Sequence, residues 1–283
     1  MFRIYDTRTG QVEDIGAGPG GLLRLYARGP GRGGPAHAGE LRSLLVADLI
    51  RRNAEHRHGL TAVVCLVMPR AGTDEPPAGD GALATETSAL NIKPAEQTLL
   101  APEPAGPGTG AESGVEIIVE ARLEPAAGQA AVRHTVGVGP VTFSGRDAGG
   151  PAPDEAPAVH LSGLADRGLD PLAVRLALMS RRHADRADLS WDALSEADQA
   201  LRRWRELVAG WAESPSKPMC AEVTAQVTAA FDGDLDTPAA LRALRELEHD
   251  PQIPPGSKFE SFLHADQLLA LDLPREIGRP PRG

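Results

Sequence analysis

The chain has 283 residues, and its 31 glycines and 25 prolines make up about a fifth of it, against a usual share of about 12%. No Gly-X-Y period accompanies them, which excludes collagen, and helical patterns after residue 170 exclude a wholly disordered chain. A net charge of −10 excludes coating of nucleic acid by bulk electrostatics, because phosphate contacts need clustered Lys and Arg.

Residues 22–26, Leu-Leu-Arg-Leu-Tyr, read as a short strand, and 29–39 as a Gly/Pro-rich loop. Leu41, Leu44, Leu45 and Leu49 recur at helical spacing and predict a helix over 40–57. Residues 61–67 are β-branched and apolar, as in a buried parallel strand. Strand, loop, helix and strand make the βαβ unit of a doubly wound α/β fold. Residues 69–87 and 101–114 read as loops, with 88–100 packing locally between them. Residues 115–124 fit either a helix or a strand. Val136, Val138, Val141 and Phe143 suggest a short strand or hairpin over 134–143, and 145–158 has the composition of a linker.

The chain then changes character. Asp170-Pro171 starts a helix carrying Leu172, Val174, Leu176 and Leu178. Ser190 caps a second, with Leu194, Leu201, Trp204 and Val208, and Ser216 a third, with Met219, Val223, Val227 and Phe231. Thr237-Pro238 starts a fourth and 258–271 gives a fifth. Five amphipathic helices with short connections predict an antiparallel bundle, followed by a frayed tail from Pro274. Cys65 and Cys220 are the only cysteines and form no CxxC pair, so both read as reduced, buried thiols. Residues 1–6 lack the apolar core of a signal peptide, and no run reaches the ~18 apolar residues of a membrane span. The expectation is a cytoplasmic protein, a monomer or weak dimer, with no membrane partner.

Several segments, in order along the chain, carry a family pattern. They are Arg3-Ile4-Tyr5-Asp6-Thr7, Leu25-Tyr26-Ala27-Arg28-Gly29-Pro30, His37-Ala38-Gly39-Glu40 with Arg42 behind it, Thr73-Asp74, and Ala89-Leu90-Asn91-Ile92-Lys93-Pro94. Further on come the run Gly168-Leu169-Asp170-Pro171-Leu172-Ala173-Val174-Arg175-Leu176-Ala177-Leu178, Phe231-Asp232-Gly233-Asp234-Leu235-Asp236-Thr237-Pro238-Ala239-Ala240-Leu241, Gly256-Ser257-Lys258-Phe259 and Leu269-Ala270-Leu271-Asp272-Leu273. Together they resemble a cysteinyl-tRNA synthetase of class I, with the related cysteine ligase of mycothiol biosynthesis as the near alternative. The resemblance implies a partial Rossmann-like catalytic domain over 1–158, a helical bundle over 159–275 and a tail over 276–283. It implies ATP as cofactor and places Gly29, Pro30, His37, Gly39, Arg42, Thr73 and Asp74 at the ATP site, with His37, Gly39 and Glu40 as the catalytic signature.

The departures bear on the chemistry. The family's His-Ile-Gly-His aims histidine donors and a helix N-terminus at phosphates. Here Glu40 stands where the second histidine belongs, and a carboxylate repels triphosphate. The family's Lys-Met-Ser-Lys-Ser loop has no counterpart, and no lysine lies between Lys93 and Lys217. Arg28 occupies the first zinc-cysteine position, and His134, His160 and His183 have no ligand partner at regular spacing, so no metal site is expected.

Other motifs read structurally. Residues 16–21 imitate a phosphate loop but precede a strand. Asp232, Asp234 and Asp236 imitate a calcium loop but read as caps of the next helix. Arg202, Arg203 and Arg205 read as a solvated face beside a core Trp204, and Trp211 as a candidate partner surface. The expectation is a degenerate synthetase-like protein, defective in aminoacylation, that binds a protein partner, a tRNA portion or a nucleotide. The alternatives are a surviving ATP-dependent cysteine-activating ligase and a decayed gene product.

Overall fold

The computed structural model describes residues 2–15, 21–30, 36–69, 80–101, 115–122, 132–144 and 160–279. Strands β1 (Phe2–Asp6) and β2 (Gln11–Ile15) form an antiparallel hairpin in which Phe2, Ile4 and Ile15 are fully buried. Strand β3 (Leu22–Arg28) alternates inward Leu23, Leu25 and Ala27 with half-buried neighbours. Helix α1 (Ala38–His58) connects it to a parallel β4 (Thr61–Pro69), so the expected βαβ unit is present. Gly59 stops α1 at φ 62°, a left-handed conformation that glycine adopts without a Cβ penalty.

The rest of the sheet comes from segments whose sequence said less. Residues 80–87, read as loop, belong to helix α2 (Asp80–Ala89). Residues 97–101 form β5 (Gln97–Ala101), parallel to β4. The ambiguous stretch is strand β6 (Val115–Arg122), antiparallel to β3, and β7 (Val132–Val138) is antiparallel to β6. The sheet order is β5-β4-β3-β6-β7, mixed rather than wholly parallel. The 134–143 alternation is not a hairpin: β8 (Val141–Phe143) leaves the sheet and pairs in parallel with β9 (Ala187–Leu189). The phosphate-loop imitation at 16–20 and the linker at 145–158 lie outside the described residues.

The C-terminal part is helical. It comprises α3 (Ser162–Ala165), α4 (Leu172–Met179), α5 (Trp191–Trp211), α6 (Ala221–Asp232), α7 (Thr237–His249) and α8 (Pro255–Leu269). Ser190 caps α5 by accepting from Ala193 N–H, as expected. Ser216 does not cap α6; its hydroxyl donates to Glu260, and Cys220 takes the N-cap position, its N–H donating to Ser261 Oγ. Cys220 is accordingly half-buried, whereas Cys65 is buried; both are free. The tail is not frayed from Pro274: Leu273–Glu276 form a 3-10 turn packed on α5, with Leu273 fully buried. Trp204 and Trp211 both meet Phe262 edge-on, at 5.6 and 5.1 Å, so Trp211 is an inward anchor. Arg205 is also buried rather than solvated, donating to Asp170 and to the Leu271 and Asp272 carbonyls.

Helix α1 joins the two parts. One side covers β3 and β4; the other meets α4 and α8. Fully buried Arg175 donates to Asp48 (2.8 Å), the Leu90 carbonyl (2.9 Å) and the Leu269 carbonyl (2.7 Å). Burial works to raise the Asp48 pKa, but Arg175 and Arg52 outweigh it and hold the carboxyl below its usual range. Asn91, at φ 53°, donates its amide to the Ala270 carbonyl and accepts from Arg52. A second tie runs through β1: Asp234 N–H donates to the Arg3 carbonyl (2.9 Å) and Tyr5 N–H to Asp234 Oδ1 (2.8 Å).

Candidate nucleotide-type site at the start of α1

Strand β3 ends at Arg28, and Gly29 N–H donates to the Val67 carbonyl, which keeps the exit strand-like. A Cβ on Gly29 would collide with the Met68 and Leu66 side chains. Ser43 Oγ donates to the Arg28 carbonyl and so fixes the strand end on α1. Gly29 and Pro30 are buried, and the 31–35 connection lies outside the described residues.

Residues 36–40 then build the helix start. Ala36 N–H donates to Glu86 on α2 (3.0 Å). His37 is the N-cap: its Nδ1 accepts from Gly39 N–H (3.1 Å) and Glu40 N–H (3.3 Å). Glu40 Oε2 accepts in turn from His37 N–H (3.1 Å), completing a capping box with histidine in the place usually held by serine or threonine. A Cβ on Gly39 would sit 3.0 Å from the His37 ring, so glycine is what lets the imidazole lie across the helix end. His37 Nε2 lies 3.7 Å from Glu40 Oε2, with both side chains about a quarter exposed. With Nδ1 accepting, the neutral ring carries its proton on Nε2. His160 forms a β-bridge with His37, and its buried Nδ1 has no hydrogen-bond partner.

The sequence grouped His37, Gly39, Glu40 and Arg42, and the structure separates Arg42 from the rest. Its guanidinium is buried and donates to the carbonyls of Gly139 (2.8 Å), Pro140 (3.3 Å), Asp185 (2.6 Å) and Arg182 (2.9 Å). Burial pushes its pKa down to about 10 and Asp185 opposes that, so it stays cationic at neutral pH. It binds the β7–β8 and α4–β9 connections to α1 rather than facing outward. Thr73 and Asp74 lie outside the described residues.

The aspartates read as caps divide their work. Only Asp236 caps α7, by accepting from Ala239 N–H. Asp234 binds Arg182 and His183, and Asp232 binds His58 and Asn53. Sequence reasoning did not find the concave region beside Asp170. There a cavity of about 600 Å³ is lined by Asp170, Arg205, Arg275 and Arg279 among others. Asp170 holds both Arg205 and Arg275, at 2.7 and 2.8 Å, and among the described residues none expected at the ATP site borders that cavity.

No family model matches the chain. Its homologues are cysteine ligases of two kinds. The L-cysteine:1D-myo-inositol 2-amino-2-deoxy-alpha-D-glucopyranoside ligase of Segniliparus rotundus is 44% identical over 30% of this chain and 20% of its own length. The cysteine–tRNA ligase 1 of Burkholderia lata is 31% identical over 41% of this chain and 24% of its own. The chain thus spans only about a fifth to a quarter of these relatives' length. Among solved structures, a putative arginyl-tRNA synthetase from Campylobacter jejuni aligns over 91% of this chain and 92% of its own, with a TM-score of 0.43 and 8% identity. The chain is an α/β protein with a helical C-terminal part, similar over part of its length to cysteine ligases. Among the described residues, no helix is long and apolar enough to cross a membrane.

Proposed function

We propose that this is a synthetase-like binding protein that does not form an aminoacyl-adenylate. In this reading residues 1–158 are a reduced Rossmann-like domain and 159–275 a synthetase-type bundle. The observation that carries it is the helix start. A phosphate at a helix N-terminus is held by N–H groups without intrahelical partners. Here the N–H groups of Gly39 and Glu40 donate to His37, that of His37 donates to Glu40, and that of Leu41 donates to the His37 carbonyl. The Glu40 carboxylate adds a negative charge where triphosphate would sit. ATP would have to break the cap and meet repulsion, which fits the absence of a Lys-Met-Ser-Lys-Ser run.

Titration calorimetry with ATP and with a cysteinyl-adenylate analogue tests the reading. We expect no saturable binding below about 1 mM, a threshold of roughly −4 kcal/mol. Micromolar binding of either overturns it. Glu40→Gln is expected to strengthen binding of inorganic pyrophosphate several-fold by removing the charge. No change there would mean the cap, not the charge, excludes phosphate.

The similarity to cysteine ligases favours one second reading, an active cysteine-activating enzyme using ATP. Cysteine-dependent ATP–pyrophosphate exchange that falls in His37→Ala would establish it in place of the first. Exchange at background level removes it.

A further inference from the structure

Three side chains that sequence spacing did not connect converge between the hairpin and the sheet. Asp6 ends β1, Glu13 lies on β2 and His134 on β7. One ligand-type atom of each lies within 4.8 Å of the other two. His134 Nδ1 is 3.1 Å from Glu13 Oε2 and 3.7 Å from Asp6 Oδ2.

Two further facts set this apart from an ordinary ion pair. Asp6 and His134 are almost wholly buried, yet Asp6 Oδ2 and His134 Nδ1 have no hydrogen-bond partner. Polar atoms left without a hydrogen bond at that depth are costly. Moreover, the other oxygens are already committed. Asp6 Oδ1 accepts from Arg8 N–H (2.8 Å), and Glu13 Oε1 accepts from Thr9 Oγ1 (2.5 Å). Such outer bonds fix the orientation of ligating carboxylates. They leave Asp6 Oδ2 and Glu13 Oε2 turned toward the imidazole.

We propose that Asp6, Glu13 and His134 bind one divalent transition-metal cation, of zinc type, which clamps the β1–β2 hairpin to β7. Ligand atoms about 2.1 Å from a tetrahedral zinc are separated by about 3.4 Å, and the two distances to His134 Nδ1 straddle that value. One imidazole and two carboxylates suit zinc among first-row metals, and the partly exposed Glu13 leaves the fourth position to water. The Arg8 guanidinium, 3.7 Å from Asp6 Oδ2 and mostly exposed, is the group the cation displaces. This site shares no residue with Arg28, where the family resemblance would place a zinc ligand.

The test uses the tag-free full chain stripped with a chelator. Zinc titrated by calorimetry is expected to bind with a stoichiometry of one and to raise the melting temperature. Cobalt is expected to give visible absorption bands of a low-coordinate site. Glu13→Gln, at a partly exposed position, is expected to weaken zinc at least tenfold while the far-ultraviolet circular dichroism stays unchanged. His134→Gln is expected to abolish the cobalt bands. No zinc binding, or zinc affinity unchanged in Glu13→Gln, overturns the proposal even if His134→Gln fails to fold.

Discussion

The N-cap of helix α1 and its middle handle their polar groups in opposite ways. At its start, His37 and Glu40 satisfy each other across three positions. Further along, Asp48 reaches Arg175 across 127 positions, and Asn53 reaches the Phe231 carbonyl across 178. The first is a self-contained cap; the second is a joint holding the α/β part to the helices. Two segments carrying the family resemblance contribute to the joint: Leu90 and Asn91 from the Ala-Leu-Asn-Ile run, and Arg175 from the Gly-Leu-Asp-Pro run.

The joint should therefore break hardest. Arg175→Leu leaves Asp48 short of a partner and the Leu90 and Leu269 carbonyls unpaired. Losing one member of a buried pair costs about 3–5 kcal/mol, read as a lower urea midpoint. A loss below about 1 kcal/mol would mean the joint is not the load the two halves share. Arg42→Met should come next, at about 2–4 kcal/mol, since buried unpaired carbonyls cost about 1–3 kcal/mol each and loops can relax.

Acid sharpens the same contrast. Asp48 and Asp234 both have depressed pKa values: burial opposes ionisation in each, but Arg175 and Arg52 outweigh it at Asp48, and His183, the Tyr5 N–H and Arg182 at Asp234. A carboxyl with a lower pKa folded than unfolded contributes stability above its unfolded value, about 3.9, and loses it as pH falls through the folded value. The share of unfolding free energy that these two carboxyls supply should thus be unchanged from about pH 7 to 5 and fall below pH 4. Asp48→Asn, already weakened at neutral pH, should lose less on acidification. The smallest effect belongs to the cap. His37→Ala should cost about 1 kcal/mol, and His37→Asn should recover nearly all of it, because asparagine is a preferred N-cap. A loss of several kcal/mol at His37 would erase the distinction between cap and joint.

The sequence made the β3–α1–β4 unit and the larger helices legible, because their apolar spacing is set locally. It hid what long-range pairing decides. Residues 97–101 carry no turn or helix signal; pairing with β4 makes them a strand. Val141 and Phe143 continue the alternation of β7, yet their partner is β9, across the 145–159 segment. At the site, the capping role of His37 was foreshadowed by Glu40 three residues on, the spacing of a capping box. Arg42 gave no such sign, since nothing local says that four carbonyls will surround it. Nor could spacing bring His134 to Asp6 and Glu13; Thr7 N–H donating to the Thr135 carbonyl does that.

The bonds between β1 and Asp234 also constrain the order of events on the ribosome. Tyr5 and Asp234 are 229 positions apart. At about 5–20 residues per second, the first strand waits about 10–50 s for the turn that completes its bonding. Until then its outward edge is an unpaired strand with apolar Phe2 and Ile4 beside it, open to pairing with other chains. Slow synthesis or early termination before residue 234 should therefore send this protein toward aggregation through β1.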